Sequence, residues 1–188
     1  SLSINWADQH VPVILEAWYP GQAGGRAVAE VLFGDYNPGG RLPMTFYQSV
    51  EQLPPFEDYA MVGRTYRYFE GDVLYPFGFG LSYTTFKYHN LALSHDRMSG
   101  PEMVRVSSTV ENTGRRTGDE VVQVYVRDEQ SGFPHPRHSL VSFKRVRLAP
   151  GASENLMFEI HPRQFAVVND EGEWVIEPGS FTISIGGG

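Results

Sequence analysis

Six carboxylic acids stand next to features of this sequence at which a functional site could form. They are Glu16, Asp35, Glu57, Asp58, Glu70 and Asp72. Two carboxyls can cleave a glycosidic bond when they lie about 5–5.5 Å apart, for retention, or about 6.5–9.5 Å apart, for inversion. Glu16 is the most tempting, because it would lie at the end of a strand, where open α/β sheets place functional groups. The spacing of the six argues for no catalytic pair, and the sequence assigns no catalytic residue to this chain.

The histidines and a glycine-rich turn are the next candidates. His135 and His138 are three residues apart in a proline-containing loop, which is weak evidence for a metal site, and we expect solvated histidines there. The stretch GQAGGRAVAE (21–30) opens a predicted helix as a phosphate loop would, but it lacks the Walker and dinucleotide-binding patterns. We expect Gly24 and Gly25 to let a helix and a strand approach closely. The sequence has no cysteine, and we assign it no metal ligand and no cofactor.

Aromatic residues dominate the connecting segment, residues 47–83. The rings of interest are Tyr66, Tyr68, Phe69, Tyr75, Phe77, Phe79 and Tyr83. They could stack on sugar rings or seal a junction between domains. Because Gly and Pro join them without an amphipathic period, we expect them to seal a junction. Arg64 and Arg67 should then bind buried carbonyl groups or pair with Asp58 or Glu70.

The elements that position these side chains change in type along the chain. The apolar run at 11–18 predicts a buried strand, and the stretch AGGRAVAEVLFGD predicts a helix that Gly34 ends. The apolar face of that helix should comprise Val28, Val31 and Leu32. The stretch NPGGRLP should be irregular, because it holds two prolines and a glycine pair. Residues 1–46 are therefore α/β in type.

From about residue 84 onward, alternating polar and apolar residues predict an antiparallel β-sandwich. The predicted strands cover 103–114, 119–128, 140–151, 154–162, 165–170, 173–179 and 180–188. About seven strands in about 100 residues is the scale of an immunoglobulin or fibronectin type III domain. The stretch NTGRRTGD should be a hairpin loop in which Asn112 and Gly114 take positive φ.

Composition limits the partners of the chain. Its 188 residues are 41% hydrophobic and carry a formal net charge of −7, which argues against nucleic acid or an acidic membrane as a partner. No apolar run approaches the about 20 residues that a membrane-spanning helix needs. The N-terminus does not look like a signal peptide and lacks an initiator methionine, so we expect a piece of a longer protein.

Three stretches resemble glycoside hydrolase family 3, the family of β-glucosidases and β-xylosidases. The end of the family's second, α/β-sandwich domain is similar to ILEAWYPGQAGGRAVAEVLFGDYNPGGRLPMTF, and its connecting segment resembles GRTYRYFEGDVLYPFGFGLSYTTF. Its third, fibronectin type III-like domain resembles VENTGRRTGDEVVQVYVRD, LVSFKRVRLAPG and EPGSFTISIGGG. The resemblance implies the end of an α/β-sandwich domain over 1–46, a connecting segment over 47–83 and a fibronectin type III-like domain over 84–188.

The same resemblance implies where the catalytic groups lie. The family's aspartate nucleophile belongs to an N-terminal barrel, and its usual acid/base glutamate lies upstream of the WYPG stretch, so neither is carried onto this chain. The turn WYPGQAGG is a scaffold element in the family and binds no phosphate. The implied partners are the barrel and the remaining α/β part of the same enzyme, and its oligosaccharide substrate. A homodimer stays open, and the family leads us to expect a periplasmic or secreted location.

Two functions from different classes stay open on the sequence. The first is the C-terminal portion of a retaining β-glycosidase, of the β-glucosidase or β-xylosidase type, acting on plant-type oligosaccharides. This portion would serve as scaffold and domain junction. The second is a non-catalytic β-sandwich module that binds carbohydrate or protein.

Overall fold

The computed structural model describes residues 2–187, and in its first 83 residues the regular elements are short. These elements are helices α1 (Asn5–His10), α2 (Gly24–Phe33) and α3 (Thr65–Tyr68), strands β1 (Phe46–Tyr47) and β2 (Val73–Tyr75), and a 3-10 turn at Val50–Gln52. Strands β1 and β2 pair antiparallel, with Phe46 opposite Tyr75. The chain between them is irregular, as its prolines and glycines predict. None of the helices described is long and apolar enough to cross a membrane.

Helix α2 forms where the sequence predicts it. Gly34 ends the helix in the left-handed conformation, with φ of 81°, and its N–H donates to the Val31 carbonyl at 3.0 Å. An ion pair of 2.6 Å joins Arg26 to Glu30 one turn later. The predicted apolar face is wrong in one position, because Leu32 is 63% exposed. This part of the helix lacks a covering element within the described residues.

The predicted strand at 11–18 is not observed. This stretch has no strand assignment and is exposed throughout, with Val13 at 75% exposure. A strand is held by hydrogen bonds to a neighbouring strand, and β1 and β2 bond only to each other. Within residues 2–187, nothing therefore pairs with the 11–18 stretch.

The rest of the chain forms the predicted sandwich. Its main strands are β3 (Phe86–Leu93), β4 (Val104–Asn112), β5 (Gly118–Asp128), β6 (Ser139–Leu148), β7 (Ser153–Ile160) and β10 (Phe181–Gly186). One sheet has the order β3-β4-β7 and the other β10-β5-β6, and all neighbouring strands run antiparallel. The predicted strands at 165–170 and 173–179 shrink to the two-residue strands β8 (Val167–Val168) and β9 (Trp174–Val175). Strand β3 was not among the predicted strands.

The core lies between the two sheets and follows the two-residue period of the strands. From Gly118 to Val126 every second residue of β5 is buried, with Val122 and Val124 at 0% exposure, and β7 contributes Leu156, Phe158 and Ile160 in the same way. Phe165, in a 3-10 turn at Pro162–Phe165, closes one end. This alternation made the sandwich predictable.

The loop between β4 and β5 is not the predicted hairpin, because it crosses from one sheet to the other. Neither Asn112 nor Gly114 takes positive φ. Asn112 is instead fully buried, and its Nδ2 donates to the carbonyls of Leu148, at 2.9 Å, and Arg116, at 2.8 Å. Its Oδ1 accepts from the Thr84 hydroxyl at 2.6 Å. The residue is used for its side-chain amide, which satisfies buried main-chain groups.

Candidate functional site

The rings of the connecting segment pack against the sandwich. Tyr66 stacks on Phe77 with ring centroids 4.1 Å apart and meets Tyr125 of β5 edge-on at 6.2 Å. The Tyr66 hydroxyl accepts a hydrogen bond of 3.2 Å from the Leu140 amide of β6. Both Tyr66 and Phe77 are at least half-buried by these contacts. The expected sealing role is confirmed for them.

A second group of rings joins the connecting segment to the chain before it. Tyr75 stacks on Phe79 at 5.4 Å and meets Phe46, which is 2% exposed, edge-on at 6.2 Å. Tyr47 meets Phe69 edge-on at 5.0 Å. The Tyr75–Phe46 contact joins the connecting segment to the chain before it, and the other two pairs lie within the segment.

Two tyrosine hydroxyls tie helices α1 and α2 to the connecting segment. The Tyr75 hydroxyl donates to Oδ1 of Asp8 at 2.5 Å, and this hydrogen bond raises the pKa of Tyr75 to about 12. The Tyr83 hydroxyl donates to the Val31 carbonyl at 2.8 Å. The Tyr83 ring is 45% exposed, so it is the least enclosed of the rings for which we expected sealing.

We call the contacts between residues 37–83 and the sandwich the joint. Main-chain hydrogen bonds order the 37–83 side of this joint. Leu42 and the 78–79 turn exchange two bonds of 2.8 Å, from the Leu42 amide to the Phe79 carbonyl and from the Gly78 amide to the Leu42 carbonyl. Gln123 of β5 donates to the Gly78 carbonyl at 3.3 Å. Gly78 has φ of 85°, and a Cβ there would collide with the Gln123 side chain.

The loop between β5 and β6 also forms hydrogen bonds to the connecting segment. The Arg137 amide donates to the Arg67 carbonyl at 2.7 Å, and the Arg137 guanidinium donates to the Phe69 carbonyl at 2.5 Å. His138 lies beside the Tyr66 ring, with centroids 5.3 Å apart. Burial, with the positive charges of Arg137 and Arg127 nearby, lowers the pKa of His138 below its usual range.

A buried ion pair is part of the joint. Nη2 of Arg41 donates to Oε2 of Glu120 at 2.5 Å, and the two side chains are only 9% and 3% exposed. The Tyr88 hydroxyl donates to the other carboxylate oxygen at 2.6 Å. Burial, followed by this hydrogen bond, raises the pKa of Tyr88 well above its ordinary value. The pair thereby links the chain before the connecting segment to strands β3 and β5.

The two arginines of the connecting segment have different outcomes. Arg64 binds main-chain carbonyls at Pro55 (3.0 Å), Asp58 (2.6 Å) and Ala60 (3.2 Å), but these belong to exposed residues and not to the buried groups that we expected. Within the described residues, Arg67 neither binds a buried carbonyl group nor pairs with Asp58 or Glu70. It is exposed, and its guanidinium lies over the Tyr66 ring at 5.9 Å.

The six carboxylates considered from the sequence are all exposed. Glu16 accepts a hydrogen bond of 2.9 Å from the Trp18 amide, and Asp58 accepts one of 2.8 Å from the Ala60 amide, so both stabilise local turns. None of the six forms an ion pair with a residue in the 2–187 range. The structure therefore gives no reason to assign one of them a catalytic role.

His135, His138 and the glycine-rich turn make contacts that have local structural roles. His135 donates a hydrogen bond of 3.0 Å from Nδ1 to the Phe133 carbonyl, and His138 is partly buried rather than solvated. Within the described chain, no three His, Asp or Glu side chains come together as metal ligands would. A Cβ on Gly24 would lie 2.5 Å from the Pro20 side chain, whereas one on Gly25 would meet nothing within 4 Å. Only Gly24 therefore permits a close approach, and its neighbour is a turn residue.

The Arg41–Glu120 pair is the feature that sequence reasoning missed. A signal was present, because Glu120 shares its strand face with Val122, Val124 and Val126, the buried residues of β5. A charged residue in that register requires a buried partner. The identity of Arg41 as that partner could not be read from the sequence, because 78 residues separate the two.

Two family models match this chain, one to each part of it. The model described as the glycosyl hydrolase family 3 C-terminal domain matches residues 1–83, and the model of a fibronectin type III-like domain matches residues 120–188. The chain is 44% identical over 190 residues to a β-xylosidase of Formosa agariphila. This match covers 98% of this chain and 26% of the β-xylosidase. It is 39% identical over 191 residues to a periplasmic β-glucosidase of Salmonella typhimurium. This match covers 95% of this chain and 25% of the β-glucosidase.

Solved structures agree with these matches. β-Glucosidase 3B from Thermotoga neapolitana, in complex with glycerol, superposes on 98% of this chain with a TM-score of 0.87 and 39% identity. This chain covers 27% of that structure. The chain thus spans about a quarter of the length of the relatives that it matches. It belongs to glycosyl hydrolase family 3, in which it corresponds to the C-terminal part.

Proposed function

We propose that this chain is the scaffold and domain junction of a retaining β-glycosidase that hydrolyses O-glycosidic bonds in plant-type oligosaccharides. The observation that carries the proposal is the match of almost the whole chain to relatives named β-xylosidase and β-glucosidase. Retaining hydrolysis needs a carboxylate nucleophile and an acid/base carboxyl on either side of the bond. In this proposal both groups belong to the preceding part of the enzyme.

The distribution of apolar side chains supports a preceding part as partner. Phe46 is the only large apolar side chain before residue 100 that is fully buried within the described chain. In the same stretch Trp6, Tyr19 and Phe33 are 69%, 101% and 84% exposed. A folded protein rarely leaves so many large apolar groups in water. The remaining α/β part and the barrel of the same enzyme would cover them.

The joint gives this chain its task in the proposed enzyme. The sandwich holds a core of its own, and the joint fixes the connecting segment on β5 and β6 through rings, main-chain bonds and a buried ion pair. We place the end of the α/β domain at 1–46, the connecting segment at 47–83 and the fibronectin type III-like domain at 84–188. The rings of the joint are occupied with one another, which weakens the alternative of a sugar-binding platform formed by them.

An assay of two proteins tests the proposal. The purified 188-residue chain should release no nitrophenol from a β-glucoside or a β-xyloside above the rate in buffer, because it lacks the carboxyl pair. The gene product from which the chain derives should carry an upstream barrel and should hydrolyse at least one of the two. Hydrolysis by the 188-residue chain that is lost on Glu16→Gln, or a gene product without an upstream barrel, contradicts the proposal.

A further inference from the structure

The loop at 53–64 combines internal rigidity with exposed aromatic side chains. Phe56 and Tyr59 are 90% and 91% exposed, and Val62 is 72% exposed. An exposed apolar residue alone is ordinary. Three large ones in seven residues form a patch, which marks a surface that another molecule covers.

The loop is ordered by its own hydrogen bonds rather than by packing. The Arg64 guanidinium donates to the carbonyls of Pro55, Asp58 and Ala60, and the Asp58 carboxylate accepts from the Ala60 amide. The base of the loop is fixed by the Thr65 amide, which donates to the Tyr47 hydroxyl at 2.7 Å. The backbone that carries the two rings is therefore ordered before any partner binds, which lowers the entropic cost of docking.

Two kinds of occupant fit exposed rings, a sugar and a polypeptide. Beside the loop is a groove of about 420 Å³, and its lining includes Gln52, Leu53, Pro54, Val62, Tyr68 and Glu70. A sugar site needs polar groups that are free to bind hydroxyls. The Gln52 side chain is already used, since its Oε1 accepts from the Gln48 amide and its Nε2 donates to the Asp72 carbonyl. The lining is mixed, because Tyr68 and Glu70 stand beside the aliphatic Leu53, Pro54 and Val62. The aliphatic side chains and the occupied amide favour a polypeptide.

We infer that the 53–64 loop is a preformed docking element for the preceding part of the same enzyme's polypeptide, with Phe56 and Tyr59 as its anchors. The inference rests on the proposed function. The relatives are about four times as long as this chain. In the proposed enzyme, the additional polypeptide is therefore large enough to cover the patch. Glu57 and Asp58 flank the anchors and form no ion pair within the 2–187 range. The receiving surface should therefore combine an apolar pocket with Lys or Arg side chains.

Nitration of tyrosines by tetranitromethane tests the inference on two proteins, the 188-residue chain and its complete gene product. Tyr59 should react readily in the 188-residue chain and at least about tenfold more slowly in the gene product, as read by mass spectrometry of the peptides. The Phe56→Ala variant should restore Tyr59 nitration in the gene product, whereas Phe143→Ala, at an exposed position of β6, should not. Equal nitration of Tyr59 in the two proteins overturns the inference.

Two further outcomes separate the inference from the proposed function. If Tyr59 is equally reactive in both proteins while the gene product hydrolyses a β-glycoside, the inference fails and the proposed function stands. If the gene product carries no upstream barrel, the proposed function fails first. Protection of Tyr59 in the 188-residue chain by added xylo- or cello-oligosaccharide would identify a sugar site and overturn the inference as well.

Discussion

Arg41 and Glu120 form an ion pair of 2.5 Å in the joint, where both side chains are at least nine-tenths buried. Arg41 comes from the irregular chain before β1, and Glu120 from the central strand of the β10-β5-β6 sheet. Removing a charge from water is costly unless a partner and hydrogen bonds compensate it. Here the Tyr88 hydroxyl supplies the additional hydrogen bond to Glu120. The pair therefore holds the two parts in one relative position.

Breaking this pair on one side should destabilise the chain strongly. Glu120→Leu leaves the Arg41 guanidinium buried without its carboxylate, and we expect a loss of about 3–5 kcal/mol in the free energy of unfolding. The double variant Arg41→Met, Glu120→Leu should recover most of that loss. Tyr88→Phe keeps the ion pair and should cost less, about 1.5–3 kcal/mol, because it removes one hydrogen bond to a buried carboxylate. Urea unfolding measures all three, and a Glu120→Leu variant as stable as the double variant would count against the role of the pair.

The stacked rings should contribute to stability in proportion to their enclosure. Phe77→Ala removes the ring on which Tyr66 stacks, and because the site is only partly enclosed we expect a loss of roughly 2–3 kcal/mol, below that of a core phenylalanine. Phe143→Ala, at a residue 66% exposed, is the matched control and should change stability by less than about 0.5 kcal/mol. Thermal unfolding followed by near-UV circular dichroism compares the two. Equal effects would mean that the stacked ring is not enclosed in solution.

Stability should fall in mild acid because of His138. Its pKa in the folded chain is lowered by burial and by Arg137 and Arg127, so the unfolded state binds more protons. The contribution of the neutral imidazole to the free energy of unfolding is therefore fully present above about pH 6.5, the pKa of histidine in the unfolded state. This contribution is lost as the pH falls through the pKa of His138 in the folded state. The test is the difference in unfolding free energy between the parent chain and His138→Phe at pH values from 5 to 8. That difference should shift in favour of the variant as the pH falls, and a difference independent of pH rules the effect out.

Adjacent glycines in α2 should respond oppositely to the same substitution. Gly24→Ala places a methyl group 2.5 Å from the Pro20 side chain and should destabilise the chain. Gly25→Ala meets nothing within 4 Å and should stabilise it by roughly 0.5–1 kcal/mol, because alanine loses less backbone entropy in a helix. Midpoints of urea unfolding give the comparison. The same sign of change in both variants would show that the Pro20 contact does not constrain the helix.

The sandwich and helix α2 could be predicted because their signals are local. Alternation in β4, β5 and β7 and the glycine after α2 each act within a few residues. The strand at 11–18 could not be judged in this way, since a strand exists only beside another and no neighbour was visible in the sequence. The same limit explains Asn112, whose turn-forming tendency was outweighed by buried carbonyl groups from distant residues.

The sequence predicted that the rings seal a junction, but it did not predict which residues they contact. Gly and Pro between the aromatics indicated a surface-following segment, and Tyr66 and Phe77 have that role. That His138 and Arg137 would meet them required the fold, because the loop that carries both residues is about 70 positions away. Phe56 and Tyr59 were not singled out, since nothing in a single sequence separates an exposed ring from a buried one.

Amide hydrogen exchange tests the central claim most directly, namely that the joint and the sandwich form one rigid unit. The Leu42 and Gly78 amides donate to carbonyls within residues 37–83, each at 2.8 Å, and the Arg137 amide donates to the Arg67 carbonyl across the joint at 2.7 Å. They should exchange in the 188-residue chain with the same denaturant dependence as the Val124 amide of the core, because cooperative units open together. Exchange of the three at the rate of the exposed 11–18 stretch, with Val124 still protected, would contradict the claim.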